Sequence, residues 1–126
     1  MPCSNSDSSN DRRKIEQGRR FEGLAARFYI DNGFDILERN WRAGHKEIDL
    51  IVRKGDLVAF VEVKSTFSKK FGHPVERVDQ KKIHNLSECA RQYIIAGKLE
   101  GVDLRFDVVT FDGGRLEHFP DAFSSE

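Results

Sequence analysis

One stretch of this chain, residues 47–64, constrains the fold more than any other. It alternates like a β-hairpin, yet it carries ionisable side chains where a sheet usually buries apolar ones. Gly55 and Asp56 form a standard two-residue connection between antiparallel strands, which pairs Lys54 with Leu57. A three-residue loop would shift the register by one and mix the two faces. The sequence therefore predicts an antiparallel hairpin in the two-residue register.

In this register the two faces of the hairpin differ in character. One face pairs only apolar side chains, which are Ile48 with Val63, Leu50 with Val61, and Val52 with Ala59. The other face pairs Glu47 with Lys64, Asp49 with Glu62, and Ile51 with Phe60. Two directly opposed carboxylates have Cβ atoms about 5 Å apart and destabilise a sheet unless something compensates their repulsion.

The opposed carboxylates of Asp49 and Glu62 predict a metal site. Mg²⁺ prefers oxygen ligands from one or two carboxylates together with substrate phosphate, so a divalent cation would compensate the repulsion. Lys64 lies two residues after Glu62 and hence on the same face of the strand. The hairpin is therefore expected to carry a metal site with an ammonium group beside it. An alternative stays open for Glu47, which could form only a cross-strand ion pair with Lys64.

The charge of the chain is balanced overall but uneven along its length. It has 21 Lys and Arg and 21 Asp and Glu, and this balance argues against a strong, indiscriminate nucleic-acid binder. Residues 12–20 and 64–84 each carry a net charge of +4, whereas residues 99–126 carry −5. Basic segments beside the carboxylate hairpin could guide a polyanion, although the same charges could be solvated loop and helix faces.

Length and cysteine use predict a small, reduced protein. With 126 residues the chain is expected to form one domain over residues 12–123, preceded by a flexible polar tail over residues 1–11. No signal peptide and no membrane span is visible in the sequence. Cys3 and Cys89 have no metal-like spacing, which favours a cytoplasmic protein without zinc or disulfides.

Hydrophobic periodicity predicts an α/β fold. Helices are expected at 12–31 and 79–96, strands at 34–38, 47–53, 57–64 and 104–111, a short edge strand at 116–119, and a basic loop at 65–76. The predicted order is a helix, three consecutive strands, a second helix and a fourth strand. This order indicates a mixed central β-sheet flanked by helices.

This αβββαβ order, with Asp49 and the run Glu62-Val63-Lys64, resembles the restriction-endonuclease-like core of the PD-(D/E)XK nuclease superfamily. More closely, the chain resembles the YraN-type family of small bacterial proteins, which are predicted nucleases related to Holliday junction resolvases. The resemblance rests on an ordered set: Gly18, Glu22, Ala25, Gly33-Phe34, Arg39-Asn40-Trp41-Arg42, Glu47 to Leu50, Phe60 to Lys64, Gly72, Pro74, Lys82, Ala90, Tyr93, Arg105 to Val109, and Asp121 to Phe123. The family often has an arginine two residues after the motif lysine. This chain has Thr66 there, which puts one phosphate contact in doubt.

The resemblance implies a metal-dependent endonuclease that hydrolyses phosphodiester bonds, in DNA rather than RNA, with branched or damaged DNA as candidate substrates. Asp49 and Glu62 would hold Mg²⁺ or Mn²⁺. Lys64 would orient or help to deprotonate the attacking water, and Glu22 would be a further ligand or a partner of Lys64. Candidates for phosphate contact are Lys69, Lys70, Lys81, Lys82 and Arg105. The resemblance is also compatible with a homodimer, because many nucleases of this fold pair up to cut two strands.

Two other interpretations remain. The chain could be a nucleic-acid-binding module or accessory subunit that keeps the fold without cleaving, or a protein-interaction subunit whose charged face has no chemical role. The complete acid, acid and lysine set favours a nuclease over the interaction subunit, but it does not separate nuclease from binding module. Asp107 could be a satisfied buried acid or face outward, and Trp41 could stack on a base or pack against the sheet. The histidines lack ligand spacing and are predicted to have no role: His45, His73, His84 and His118.

Overall fold

One mixed sheet with a helix on each face makes up the fold. The computed structural model describes the backbone of residues 6–66 and 80–124 and the side chains of residues 16–65 and 80–124. The elements, in order, are α1 (Ser6–Asp31), β1 (Asp35–Ala43), β2 (Lys46–Lys54), β3 (Leu57–Thr66), α2 (Gln80–Gly97), β4 (Asp103–Asp112) and β5 (Arg115–Phe123). The sheet order is β1-β2-β3-β4-β5, with β3 and β4 parallel and the other neighbours antiparallel. The predicted α/β class and αβββαβ core are confirmed.

The helices cover opposite faces of the sheet because each has an apolar stripe that must be buried. On one face α1 contributes Phe21, Ala25, Ala26 and Tyr29 to a core with Leu50, Val52, Ala59, Val61, Val109 and Phe111. On the other face α2 contributes Leu86, Cys89 and Ala90 to a core with Ile48, Ile51, Val58, Phe60 and Phe106. Neither helix, over its described residues, is long and apolar enough to cross a membrane.

Helix α1 starts earlier than predicted. It begins at Ser6 and not at Arg12, so residues 6–11 of the predicted flexible tail are helical. A polar run of serine, asparagine and aspartate has the composition of a tail, but the same residue types are favoured at helix N-termini. Residues 1–5 of the predicted tail lie outside the described residues.

The turn of the β2–β3 hairpin is the predicted one. Lys54 pairs with Leu57 across Gly55 and Asp56. Gly55 has a φ of 60°, a left-handed conformation that glycine adopts without steric cost. The two-residue connection therefore sets the register of the central strands, as expected from the sequence.

The predicted hairpin register holds only as far as Leu50, which pairs with Val61. Ile48 was predicted to lie on the same face as Leu50, and this prediction is wrong, because Ile48 packs in the core under α2. Two residues that are two apart share a face in a regular strand. The alternation therefore breaks at Asp49, the residue between them.

The two edge strands are longer than predicted. β1 continues to Ala43 and β5 to Phe123, whereas ends at Glu38 and Phe119 were expected. β1 contains Asn40 in the left-handed conformation, with a φ of 51°. Such a residue breaks the two-residue periodicity by which a strand is recognised in a sequence.

Asp107 is a fully buried acid with a complete set of partners. The Tyr29 hydroxyl donates to it at 2.8 Å, Arg105 Nε at 2.8 Å and the Asp121 N–H at 3.1 Å, and His118 Nε2 lies 3.0 Å away. Burial acts against ionisation, but the hydrogen bonds from His118, Arg105 and Asp121 hold the pKa of Asp107 below its ordinary value. Asp107 is thus a satisfied buried acid. The prediction that His118 has no role is wrong, because it is one of these partners.

Candidate active site

The candidate site lies where the pairing between β2 and β3 ends. After Leu50 and Val61 the next residues along the two strands are Asp49 and Glu62, and they are not a ladder pair. Instead, the Val63 N–H donates to Asp49 Oδ2 at 2.8 Å. A side-chain oxygen therefore takes the place of a backbone acceptor, and the carboxylate of Asp49 is fixed against the neighbouring strand.

The carboxylates of Asp49 and Glu62 are partly buried and repel each other. Burial first, and then the charge of Glu62, raise the pKa of Asp49 to about 7, although the Val63 N–H acts in the opposite direction. Burial also raises the pKa of Glu62, against the opposing effect of Lys82 and Lys64. Both carboxylates thus resist ionisation despite the lysines beside Glu62, and a divalent cation would favour the ionised form of each.

Two lysines approach Glu62 from different elements. Lys82 on α2 places its Nζ 3.3 Å from Glu62 Oε2, and Lys64 on β3 is near enough to favour ionisation of the same carboxylate. The Glu62 side chain is only 11% exposed. Among the described residues, Glu47 forms its ion pair with Arg42 at 3.2 Å and not with Lys64. The alternative in which Lys64 serves only as the cross-strand partner of Glu47 is therefore not realised.

A cleft of about 220 Å³ opens beside Asp49 on the α1 side of the sheet. It is lined by Arg19, Glu22 and Gly23 from α1, by Arg39 and Asn40 from β1, and by Asp49 and Leu50 from β2. The charge of Glu22 contributes to the raised pKa of Asp49. The side-chain amide of Asn40, with its nitrogen turned toward α1, donates to both carboxylate oxygens of Glu22 at 3.3 Å. Glu22 is thus held in the same cleft as Asp49.

The predicted phosphate contacts differ in their positions. Lys82 contacts Glu62, and Lys81 is exposed beside it on α2. Arg105 is not brought to the site, because it lies opposite Ala59 in the sheet and its guanidinium binds Asp107. Two further candidates lie outside the described residues, namely Lys69 and Lys70.

Trp41 is partly buried and packs against the core under α2. Its ring meets that of Tyr93 on α2 edge to face, with centroids 5.2 Å apart and an interplanar angle of 81°. Both residues pack against the core under α2. The packing interpretation of Trp41 is therefore confirmed.

The cleft is also lined by three polar side chains that the sequence did not single out as site residues, namely Arg19, Arg39 and Asn40. The position of Arg19 has a sequence signal, because it lies one helical turn before Glu22. Arg39 and Asn40 belong to the ordered set that carries the family resemblance, but no periodicity predicts them at one cleft, because consecutive residues of a regular strand point to opposite faces.

The protein donors available to a metal ion are few. Within residues 16–65 and 80–124 no group of three or more His, Cys, Asp or Glu side chains is placed to hold a metal ion. The two carboxylates interact across the end of the ladder, Asp49 from the cleft on the α1 side and Glu62 from the side that Lys82 on α2 reaches. The prediction that both lie on one face of a regular hairpin is therefore wrong. A donor set of two carboxylates fits Mg²⁺ or Mn²⁺, since Mg²⁺ commonly keeps several waters and binds through one or two carboxylates plus substrate phosphate.

Comparison with known proteins places this architecture in a family. The model of UPF0102, an uncharacterised protein family, matches residues 21–111, a range that includes Glu22, Asp49, Glu62 and Lys64. The UPF0102 protein of Sulfurihydrogenibium sp. (strain YO3AOP1) is 38% identical over 113 residues, which cover 90% of this chain and 98% of that protein. UPF0102 proteins of Chloroherpeton thalassium and Thermotoga petrophila are 45% and 44% identical, over 73% and 78% of this chain and 71% and 88% of their own lengths. Their names state no activity.

Proposed function

This chain belongs to the uncharacterised protein family UPF0102, the YraN-type family expected from its sequence, and we propose that it is a metal-dependent endonuclease acting on DNA. One observation carries the proposal, the partly buried pair of Asp49 and Glu62 at the end of the β2–β3 ladder. Buried like charges destabilise a fold. Their presence is accounted for if the pair binds a cation.

Asp49 and Glu62 would hold Mg²⁺ or Mn²⁺ in this proposal. The bound cation would supply positive charge to the phosphoryl group and activate water as the nucleophile. The Val63 N–H orients Asp49 Oδ2, which leaves the remaining oxygen of that carboxylate for the metal. Lys82 holds Glu62 from the α2 side.

Lys64 is the proposed proton-handling group. It lies on β3 two residues after Glu62, and an ammonium group there can hydrogen-bond to an attacking water or to a phosphate oxygen. Glu22 adds a second negative charge to the cleft beside Asp49 and is oriented by Asn40. We assign Glu22 a supporting role, in which it orients water or a positively charged partner in the cleft.

A second function, binding of nucleic acid without cleavage, is favoured by one observation. The Lys82 ammonium already lies 3.3 Å from Glu62, and no third acidic or imidazole ligand converges with the pair within the described ranges. An arrangement of this kind could retain a phosphate-binding surface while binding metal too weakly to cut. Cleavage assays separate the two functions.

The deciding experiment incubates supercoiled, linear, single-stranded and four-way-junction DNA with the protein and Mg²⁺ or Mn²⁺. We expect cleavage of at least one substrate, lost in EDTA. Asp49→Asn and Glu62→Gln each remove one ligand charge, and we expect cleavage to fall by about 10²–10³-fold or more. Lys64→Met tests the proton-handling group in the same assay.

Two exposed residues provide matched controls, namely Asp35→Asn for the acids and Lys98→Met for the lysine. Both should cleave as the wild type does. Binding that persists in EDTA without any cleavage would replace the nuclease with the binding module. Cleavage that survives both Asp49→Asn and Glu62→Gln would assign the activity to another site or to a contaminant.

A further inference from the structure

Two arginines at the cleft beside Asp49 have no acidic partner among the described residues. Arg19 on α1 and Arg39 on β1 both line the cleft and are both exposed. Neither takes part in an ion pair with residues 16–65 or 80–124. By contrast Arg27, on the same helix as Arg19, pairs with Asp31 at 3.2 Å.

The backbone of β1 is distorted in the way that brings Arg39 and Asn40 to the same cleft. In a regular strand these consecutive residues would point to opposite faces. Asn40 has a φ of 51°, and asparagine is among the few non-glycine residues that tolerate this conformation. With Asn40 in this conformation, Arg39 lines the cleft, and the side-chain amide of Asn40 donates to Glu22 in the same cleft. Backbone strain of this kind concentrates at binding and catalytic sites.

The cleft combines two carboxylates with two guanidinium groups. The carboxylates of Glu22 and Asp49 stand at the α1–β2 wall, while the guanidiniums of Arg19 and Arg39 come from two different elements. This combination suits the binding of a phosphodiester. The acidic groups would attract a cation that contacts the phosphate, and the arginines would bind the phosphate oxygens that the cation leaves free. A planar guanidinium also bonds phosphate oxygens in a bidentate manner.

We propose that Arg19 and Arg39 form a phosphate clamp that binds the backbone of the nucleic-acid substrate on the α1 side of Asp49. This inference rests on the proposed function, since it names how the same site holds its substrate. Neither arginine is among the basic residues expected from the sequence to contact phosphate. The clamp would supply a contact of the kind that Thr66, in place of an arginine, leaves in doubt on β3.

Binding, measured apart from cleavage, tests the clamp. The probe is a fluorescein-labelled four-way-junction DNA and, separately, a labelled duplex, titrated in EDTA by fluorescence anisotropy at several salt concentrations. Arg19→Gln and Arg39→Gln should each weaken binding about tenfold and lower the slope of log Kd against log salt by about 0.9. The double variant should lower the slope by about twice as much.

Two arginines away from the cleft are matched controls, Arg27→Gln on α1 and Arg115→Gln on β5. Both should leave the slope unchanged, and circular dichroism melts should show that every variant is folded. Slopes of the cleft variants that equal the wild-type slope would overturn the clamp even if the wild type cuts DNA. So would failure of the wild type to bind either probe. An arginine-dependent slope in a protein that cuts nothing would support the clamp and refute the nuclease.

Discussion

Two acids of the central sheet, the fully buried Asp107 on β4 and the partly buried Asp49 on β2, have opposite surroundings. Asp107 receives hydrogen bonds from Tyr29, Arg105 and the Asp121 backbone, and its pKa is held below the ordinary value. Asp49 receives one backbone hydrogen bond and faces other carboxylates, and its pKa rises to about 7. Burial alone therefore does not determine whether the pKa of an acid rises or falls in the fold.

The difference fits a structural role for Asp107 and the chemical role that we propose for Asp49. The Asp107 carboxylate joins α1, β4 and β5, since its partners come from all three elements. Within residues 16–65 and 80–124 the Asp49 carboxylate forms no ion pair, and the charges that raise its pKa are those of Glu62, Glu22 and Glu47. A partly buried acid that faces other acids lowers the stability of the fold, and local destabilisation of this kind is common at functional sites.

The largest expected effect is on Asp107. Asp107→Asn keeps the shape of the side chain but removes the charge that Arg105 and His118 face, so the free energy of unfolding should fall by about 3 kcal/mol. Urea denaturation at pH 7 measures this loss. The control is Asp103→Asn, an exposed acid on the same strand, which should change little. A loss no larger than that of the control would show that the network does not stabilise the fold.

The same substitution at Asp49 should act in the opposite direction. In EDTA at pH 8, Asp49→Asn removes a charge that repels Glu62, while its side-chain oxygen can still accept the Val63 N–H. The free energy of unfolding should therefore rise by about 1–3 kcal/mol. Destabilisation by Asp49→Asn at this pH would mean that the carboxylate is already compensated, and the contrast with Asp107 would be lost.

A smaller effect is expected in how the free energy of unfolding depends on pH, where Asp49 and Asp107 should differ in sign. Because the pKa of Asp49 is raised in the fold, its protonation stabilises the protein below pH 3.8, and that contribution is lost as the pH rises to about 7. Asp107 has the opposite sign, since its pKa is lowered, so its contribution is present above its unfolded pKa and is lost in acid. Stability curves should therefore show the advantage of Asp49→Asn growing between pH 4 and pH 7. A constant difference would contradict the raised pKa.

Much of the fold could be predicted from the sequence because its signals are local. The turn at Gly55 and Asp56, together with alternating apolar residues, predicted the hairpin register as far as Leu50. The helices were likewise recognised from apolar residues that recur at helical spacing, such as Phe21 on α1 and Leu86 on α2, and both of these residues are buried. In each case a short-range pattern determines what the chain must bury.

The rest depended on contacts that no local pattern contains. The ladder ends at Asp49 because a side chain accepts the Val63 N–H, and the sequence shows only an acid in a strand. The same break moves Ile48 to the other core. Arg39 reaches the cleft through the left-handed Asn40, which cannot be read from residue order. Asp49 and Glu62 were singled out from the sequence, but the arginines of the cleft and the partners of Asp107 required the tertiary structure.

Isothermal titration calorimetry with Mn²⁺ tests most directly whether Asp49 and Glu62 bind a cation. Experiments at pH 7 in two buffers of different ionisation enthalpy also count the protons released on binding. We predict one Mn²⁺ per chain with release of roughly half a proton at pH 7 and less at pH 8.5, since Asp49 must be ionised to bind metal. Both signals should vanish in Asp49→Asn and Glu62→Gln. Absence of saturable binding in the wild type, or equal binding by these two variants, would contradict the account.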